Sequence, residues 1–127
     1  MFRDAKAFSS FSVDDVQRAR KFYAETLGLD AEVRPEGLEL RLAGGGRIFA
    51  YPKPNHVPAT FTVLNFLVAD IERAVAELKQ RGVRFESYDM PELKTDANGI
   101  ARSDRGPAAA WFKDPAGNIL AVLEEKK

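Results

Sequence analysis

The chain has 127 residues, 45% of them hydrophobic and 30% charged, the balance of one globular domain that buries a core and is too short for two independent ones. Lysine plus arginine equals aspartate plus glutamate at 19 each, so no basic surplus favours nucleic acid or an anionic membrane as a partner. Cysteine is absent, which excludes disulfides, thiolate metal sites and a cysteine nucleophile.

The first residues, Met1-Phe-Arg-Asp-Ala-Lys6, hold no apolar signal core, and no run approaches the ~20 apolar residues of a membrane span. A cytoplasmic location is expected. Residues 7 to 13 are rich in strand formers, with Phe11 and Val13 on one face and Phe8, Ser10 and Ser12 on the other. Asp14 or Asp15 then caps a helix running to about residue 27, whose stripe is Val16, Ala19, Tyr23 and Leu27, widened by Phe22; Gly28 ends it.

Strands are predicted at residues 30 to 34, 37 to 42 and 47 to 51, separated by the turn sequences Pro35-Glu-Gly37 and Gly44-Gly-Gly46. Leu38, Leu40 and Leu42 alternate with Glu39 and Arg41, as in a half-buried antiparallel strand. Residues 52 to 58 contain three of the seven prolines and read as an extended linker, with His56, the single histidine, as its solvent-exposed hinge.

A second strand and helix follow at residues 61 to 68 and 70 to 81, with Ile71, Ala74, Val75 and Leu78 as the buried stripe. Residues 83 to 88 read as a strand. Residues 89 to 107 read as a long loop, expected to cover a cavity mouth, with Tyr88, Met90, Leu93 and Ile100 folding inward onto Trp111 or the rim. A closing hairpin joins residues 108 to 113 and 119 to 123 through Asp114-Pro-Ala-Gly-Asn118. Val13, Asp15, Val16 and Ala19 recur at one constant offset as Val68, Asp70, Ile71 and Ala74. The chain is therefore α+β and built of two βαβββ modules, about 7–52 and 60–124, expected to form one domain over 7–124.

Val-x-Asp opening each helix, Phe22-Tyr23, Leu27-Gly28 and Trp111-Phe-Lys-Asp-Pro-Ala-Gly-Asn118 together resemble the vicinal oxygen chelate superfamily, which includes glyoxalase I, bleomycin-resistance proteins and extradiol dioxygenases. The resemblance implies curved sheets around a cavity between the modules, helices on the outer face, and a homodimer, which also pairs exposed sheet edges. It places metal ligands of the metal-dependent members at Phe8, Val63 and Ala121 and on the fourth strand, among Ile48, Phe49, Ala50 and Tyr51. A divalent ion needs converging imidazole or carboxylate groups. None stands at these positions, so no metal or other cofactor is expected.

The resemblance then favours metal-independent binding of a small organic, aromatic-type molecule, in the manner of bleomycin sequestration or sensing. Two alternatives stay open: a metal-dependent lyase or oxygenase with displaced ligands, and an interaction module without a ligand. No residue pattern selects a reaction. The face opposite the helices carries Phe8, Ser10 and Ser12, then Val63, Asn65 and Leu67, then Ile119, Ala121 and Leu123, a mostly apolar wall with a few polar groups. Phe49, Tyr51 and Trp111 join it or fill the core. Asn65, taken as buried, needs a partner in the backbone or in a ligand. Gly44-Gly-Gly46 lacks phosphate-loop spacing, and Thr95-Asp-Ala-Asn-Gly99 lacks the acids of a calcium loop.

Overall fold

The computed structural model describes residues 1–103 and 106–125. The chain divides into two compact units, Met1–Pro58 and Ala59–Lys127. In the first, β1 (Ser9–Val13) leads to Asp15, whose extended backbone and carboxylate cap α1 (Val16–Lys21) by accepting from the Gln17 and Arg18 amides. The predicted helix does not continue as a regular one. It widens into a π-helical turn, Phe22–Thr26, in which the Leu27 amide donates to the Phe22 carbonyl at 3.0 Å. The wider turn keeps Tyr23 fully buried, 6.0 Å from the Phe11 ring and edge-on to Phe22 at 5.2 Å.

The strands β2 (Asp30–Arg34), β3 (Gly37–Arg41) and β4 (Arg47–Pro52) fall where the alternation put them. They run antiparallel in sequence, and β4 then pairs in parallel with β1, giving the sheet order β1-β4-β3-β2. Phe11, Val13, Leu38, Leu40, Ile48 and Ala50 form the core beneath Ala19 and Tyr23, with α1 lying against β2, β3 and β4.

The proline-rich segment is not a free linker. Its Lys53 amide donates to the Val13 carbonyl, a turn at Pro54-Asn55 brings the His56 amide onto the Lys53 carbonyl, and His56 Nδ1 lies 2.7 Å from Ser12 Oγ. His56 is thus half-buried on β1 rather than a solvent-exposed hinge.

The second unit repeats the plan with β5 (Thr62–Val68) and α2 (Ile71–Gln80). Asp70 caps α2 through the Arg73 amide, and the Glu124 carboxylate accepts from the Ile71 amide. Residues 83 to 88 do not form the predicted strand. Only Phe85 bridges to Phe112, and the chain then turns into a short hairpin of β6 (Asp89–Met90) and β7 (Leu93–Lys94), anchored by Thr95 Oγ1, which accepts from the Tyr88 amide at 2.8 Å. Residues 89 to 107 are likewise no plain loop: they hold this hairpin, then β8 (Ile100–Ser103) and the start of β9 (Gly106–Lys113). Ile100 is buried opposite Ala110 and the Tyr88 ring meets Trp111 edge-on at 5.6 Å, whereas Met90 is exposed. Asp104 and Arg105, counted in the predicted loop, lie outside the described residues. With β10 (Ile119–Glu124) the sheet order is β5-β10-β9-β8, the same as in the first unit.

Candidate functional site

Register fixes which side chains share the open face of the first sheet. Ser10 pairs with Phe49, Phe49 with Glu39 and Glu39 with Glu32, so these four form one row. Ser12 pairs with Tyr51, and Arg47 pairs with Arg41, which pairs with Asp30. Phe11, Val13, Leu38, Leu40, Ile48 and Ala50 alternate with these residues and face the helix.

Two carboxylates facing each other across a ladder repel. Here Arg34 and Arg41 bridge Glu32 and Glu39: Arg34 reaches Glu32 at 3.2 Å and Glu39 at 2.8 Å, while Arg41 reaches them at 2.8 and 3.1 Å and Asp30 at 3.4 Å. Arg47 adds a bond to the other Glu39 oxygen at 3.1 Å. The Arg34 hydrogen bond, with those of the other arginines, holds the Glu39 carboxyl below the usual carboxylate range. The Arg34 and Arg41 guanidiniums are in turn raised, chiefly by hydrogen bonds to Glu39 and to Glu32 respectively.

This charged lattice borders a pocket of about 300 Å³ lined by Phe8, Glu36, Glu39, Arg47, Ile48 and Phe49. Of the residues expected to bind a ligand, the pocket brings together Phe8 and Phe49. Ser10 and Tyr51 lie exposed on the same sheet face, and Ser12 is engaged with His56. Glu36, Glu39 and Arg47 were not among the expected residues, because strand alternation alone assigns Glu39 and Arg41 to plain solvent. The two-residue turn Pro35-Glu36 held the missing signal, since it fixes the register that stacks the charges of β2 on those of β3.

On the second sheet Asn65 pairs with Ala121 and Ala121 with Trp111, so these three form a single row and the phase of Trp111 is settled. Asn65 is exposed, correcting its expected burial, while Ala121 is buried and Val63 and Trp111 are half-buried. The turn Asp114–Asn118 is a structural element. The buried Asp114 carboxylate accepts from the Ala116 and Asn118 amides, each at 2.9 Å, and from Asn118 Nδ2 at 3.1 Å, while Gly117 takes a φ of 86°.

The metal positions implied by the resemblance lack donor groups. Phe8, Val63 and Ala121 carry none, and β4 offers no imidazole or carboxylate. Among the described residues no three histidine, aspartate or glutamate side chains are grouped to hold an ion. At these positions the residues present do not fit a divalent metal.

Two βαβββ modules of identical strand order, each with one helix on its sheet, define the class of fold seen in vicinal oxygen chelate proteins. The model of the Glyoxalase/Bleomycin resistance protein/Dioxygenase superfamily matches residues 8–122, and the chain belongs to that superfamily. Similar solved structures include TnmS3, an antibiotic-binding protein from Streptomyces sp. CB03234, at 22% identity and a TM-score of 0.64 over 97% of this chain and 98% of that one. A superfamily member from Sphaerobacter thermophilus DSM 20745 gives 22% identity and 0.69 over 94% and 98%. Lactoylglutathione lyase from Agrobacterium tumefaciens gives 20% and 0.63 over 96% and 95%. None of the curated proteins matches the chain. No helix among the described residues is long and apolar enough to cross a membrane.

Proposed function

We propose that this protein binds a small organic molecule without a metal, in the pocket on the open face of its first sheet. The observation that carries this reading is the pocket itself. Its volume of about 300 Å³ lies at the lower end of the range for small-molecule sites, and it joins apolar walls to a few fixed polar groups, as such sites do. Phe8 and Phe49 hold the apolar or aromatic body, and Ser10, Ser12 and Tyr51 extend the surface. Val63, Asn65, Ala121 and Trp111 form a second ligand-contacting surface on the second sheet. The antibiotic-binding protein of the same fold supports a role in binding a small molecule.

A thermal-shift screen against metabolites and antibiotics tests the reading. A ligand at a hundred times its dissociation constant stabilises by about 2.7 kcal/mol, and Phe8→Ala or Phe49→Ala weakens it about tenfold by removing buried aromatic contact. If no compound in a broad screen shifts a clean unfolding transition, the reading fails. We also propose that the protein acts in the cytoplasm as a homodimer, since β1, β2, β5 and β8 end their sheets and Leu67 on β5 is 65% exposed. Light scattering is expected to give twice the 14.1 kDa of one chain.

A further inference from the structure

We infer that the first-sheet pocket selects a small organic cation, with the positive group beside Glu36 and the apolar part against Phe8 and Phe49. This rests on the ligand-binding reading above and adds the charge of the ligand. The charges on the sheet face balance: Asp30, Glu32 and Glu39 are met by Arg34, Arg41 and Arg47 through bonds of 2.8 to 3.4 Å. Glu36 stands outside that balance. It lines the pocket and is exposed, and it forms no ion pair with any described residue.

The pocket therefore carries one uncompensated negative charge. Arg47, the one cation lining it among the described residues, is already bonded to Glu39 at 3.1 Å. An incoming anion would meet Glu36 unopposed and would compete with Glu39 for that guanidinium. A cation meets neither obstacle. The aromatic walls act in the same sense, because ring faces attract cations, quaternary ammonium groups included.

Glu36 is also held in position. Pro35 before it fixes one backbone angle, and at Gly37 after it a Cβ would collide with the Ala50 carbonyl oxygen. The turn cannot swing away from β4 without losing the pairing of Leu38 with Ala50. The backbone of Glu36 thus stays at the pocket while its side chain remains free to meet a ligand.

The test is calorimetric titration of the intact protein at neutral pH with three probes of one size: benzylamine, benzyl alcohol and benzoate. Benzylamine is expected to bind about fivefold tighter than benzyl alcohol, and benzoate weaker than either, the scale of a partly solvated ion pair. Glu36→Gln should bring benzylamine down to the affinity of benzyl alcohol and leave benzyl alcohol unchanged. Raised salt should weaken the amine alone. Phe8→Ala should weaken all three. Equal binding of the three probes, tighter binding of benzoate, or an amine preference that survives Glu36→Gln overturns the inference while the ligand-binding reading stands. Absence of binding by all three, with a normal unfolding transition, overturns the inference, and the ligand-binding reading falls with it only if the broad screen is also blank.

Discussion

Glu32 and Glu39 oppose each other across the β2–β3 ladder, and only the arginines around them make that pairing tolerable. Because the folded Glu39 carboxyl sits below its unfolded value, it adds stability that is present above about pH 4.3 and disappears as pH falls through the lower folded value. Asp96, lowered first by the hydrogen bond from the Ile100 amide, behaves in the same direction. Thermal unfolding is expected to be insensitive to these groups between about pH 7 and 5 and to drop below about pH 4, with Glu39→Gln losing part of the acid-dependent drop. Elsewhere at this scale, Asp114→Ala strips the acceptor from three donors in a buried turn, and denaturant unfolding should show a loss of about 2 kcal/mol or more. Single residues were the least legible part of the sequence. Alternation identifies the face a charge occupies, but whether that charge is solvated or locked depends on its cross-strand partner. In the same way Asn65 reads as buried only if something covers its sheet face.

The elements themselves were far more legible. Apolar periodicity and the turn residues located β1 to β5 and α2 within a residue or two, because a half-buried strand or helix must present one apolar side to its core. Both aspartate caps were readable for the same local reason. Replacing Asp70 by Ala should cost about 1 kcal/mol of stability in chemical denaturation. What failed was the stretch from residue 83 to 107, where Gly99, with a φ of 88°, packs against the Phe85 side chain and the backbone pairs through short irregular pieces. Those pieces carry no period for a sequence pattern to reveal. The π-helical turn escaped notice for a related reason: a one-residue widening hardly alters an apolar stripe. Since Ile100 on β8 is buried, as its expected inward orientation requires, Ile100→Ser is expected to destabilise by about 2–4 kcal/mol. The exposed Met90→Ser should change unfolding by less than about 0.5 kcal/mol.

For the molecule as a whole, the internal duplication was visible in the spacing of Val-x-Asp alone, and both modules carry the same strand order. Family membership could be read because it rests on turns and caps, Asp15, Asp70 and Asp114 to Asn118, whose backbone duties admit few substitutes. The candidate pocket could not, since Phe8 joins Glu36, Glu39 and Arg47 only through the long-range pairing of β1 with β4. Absence of donors at Phe8, Val63 and Ala121 bears on the entire protein's chemistry. Titration with zinc or nickel followed by gentle dialysis is expected to leave no stoichiometric ion, and the unfolding temperature should not rise with added metal.

Each module closes by laying its last strand in parallel beside its first, Ser9 against Ile48 and Leu64 against Leu120. This sets an order of events during folding. The β2–β3 hairpin needs only a two-residue turn and can form within microseconds, whereas the β1–β4 ladder must close a loop of most of the module before any pairing rewards it. Pulsed hydrogen exchange should therefore find the amides of β2 and β3 protected ahead of those of β1. On the ribosome the first module gains its closing strand while the second is still being made, so β1 lacks a partner on both edges only until Pro52 has emerged, after which β4 covers one of them.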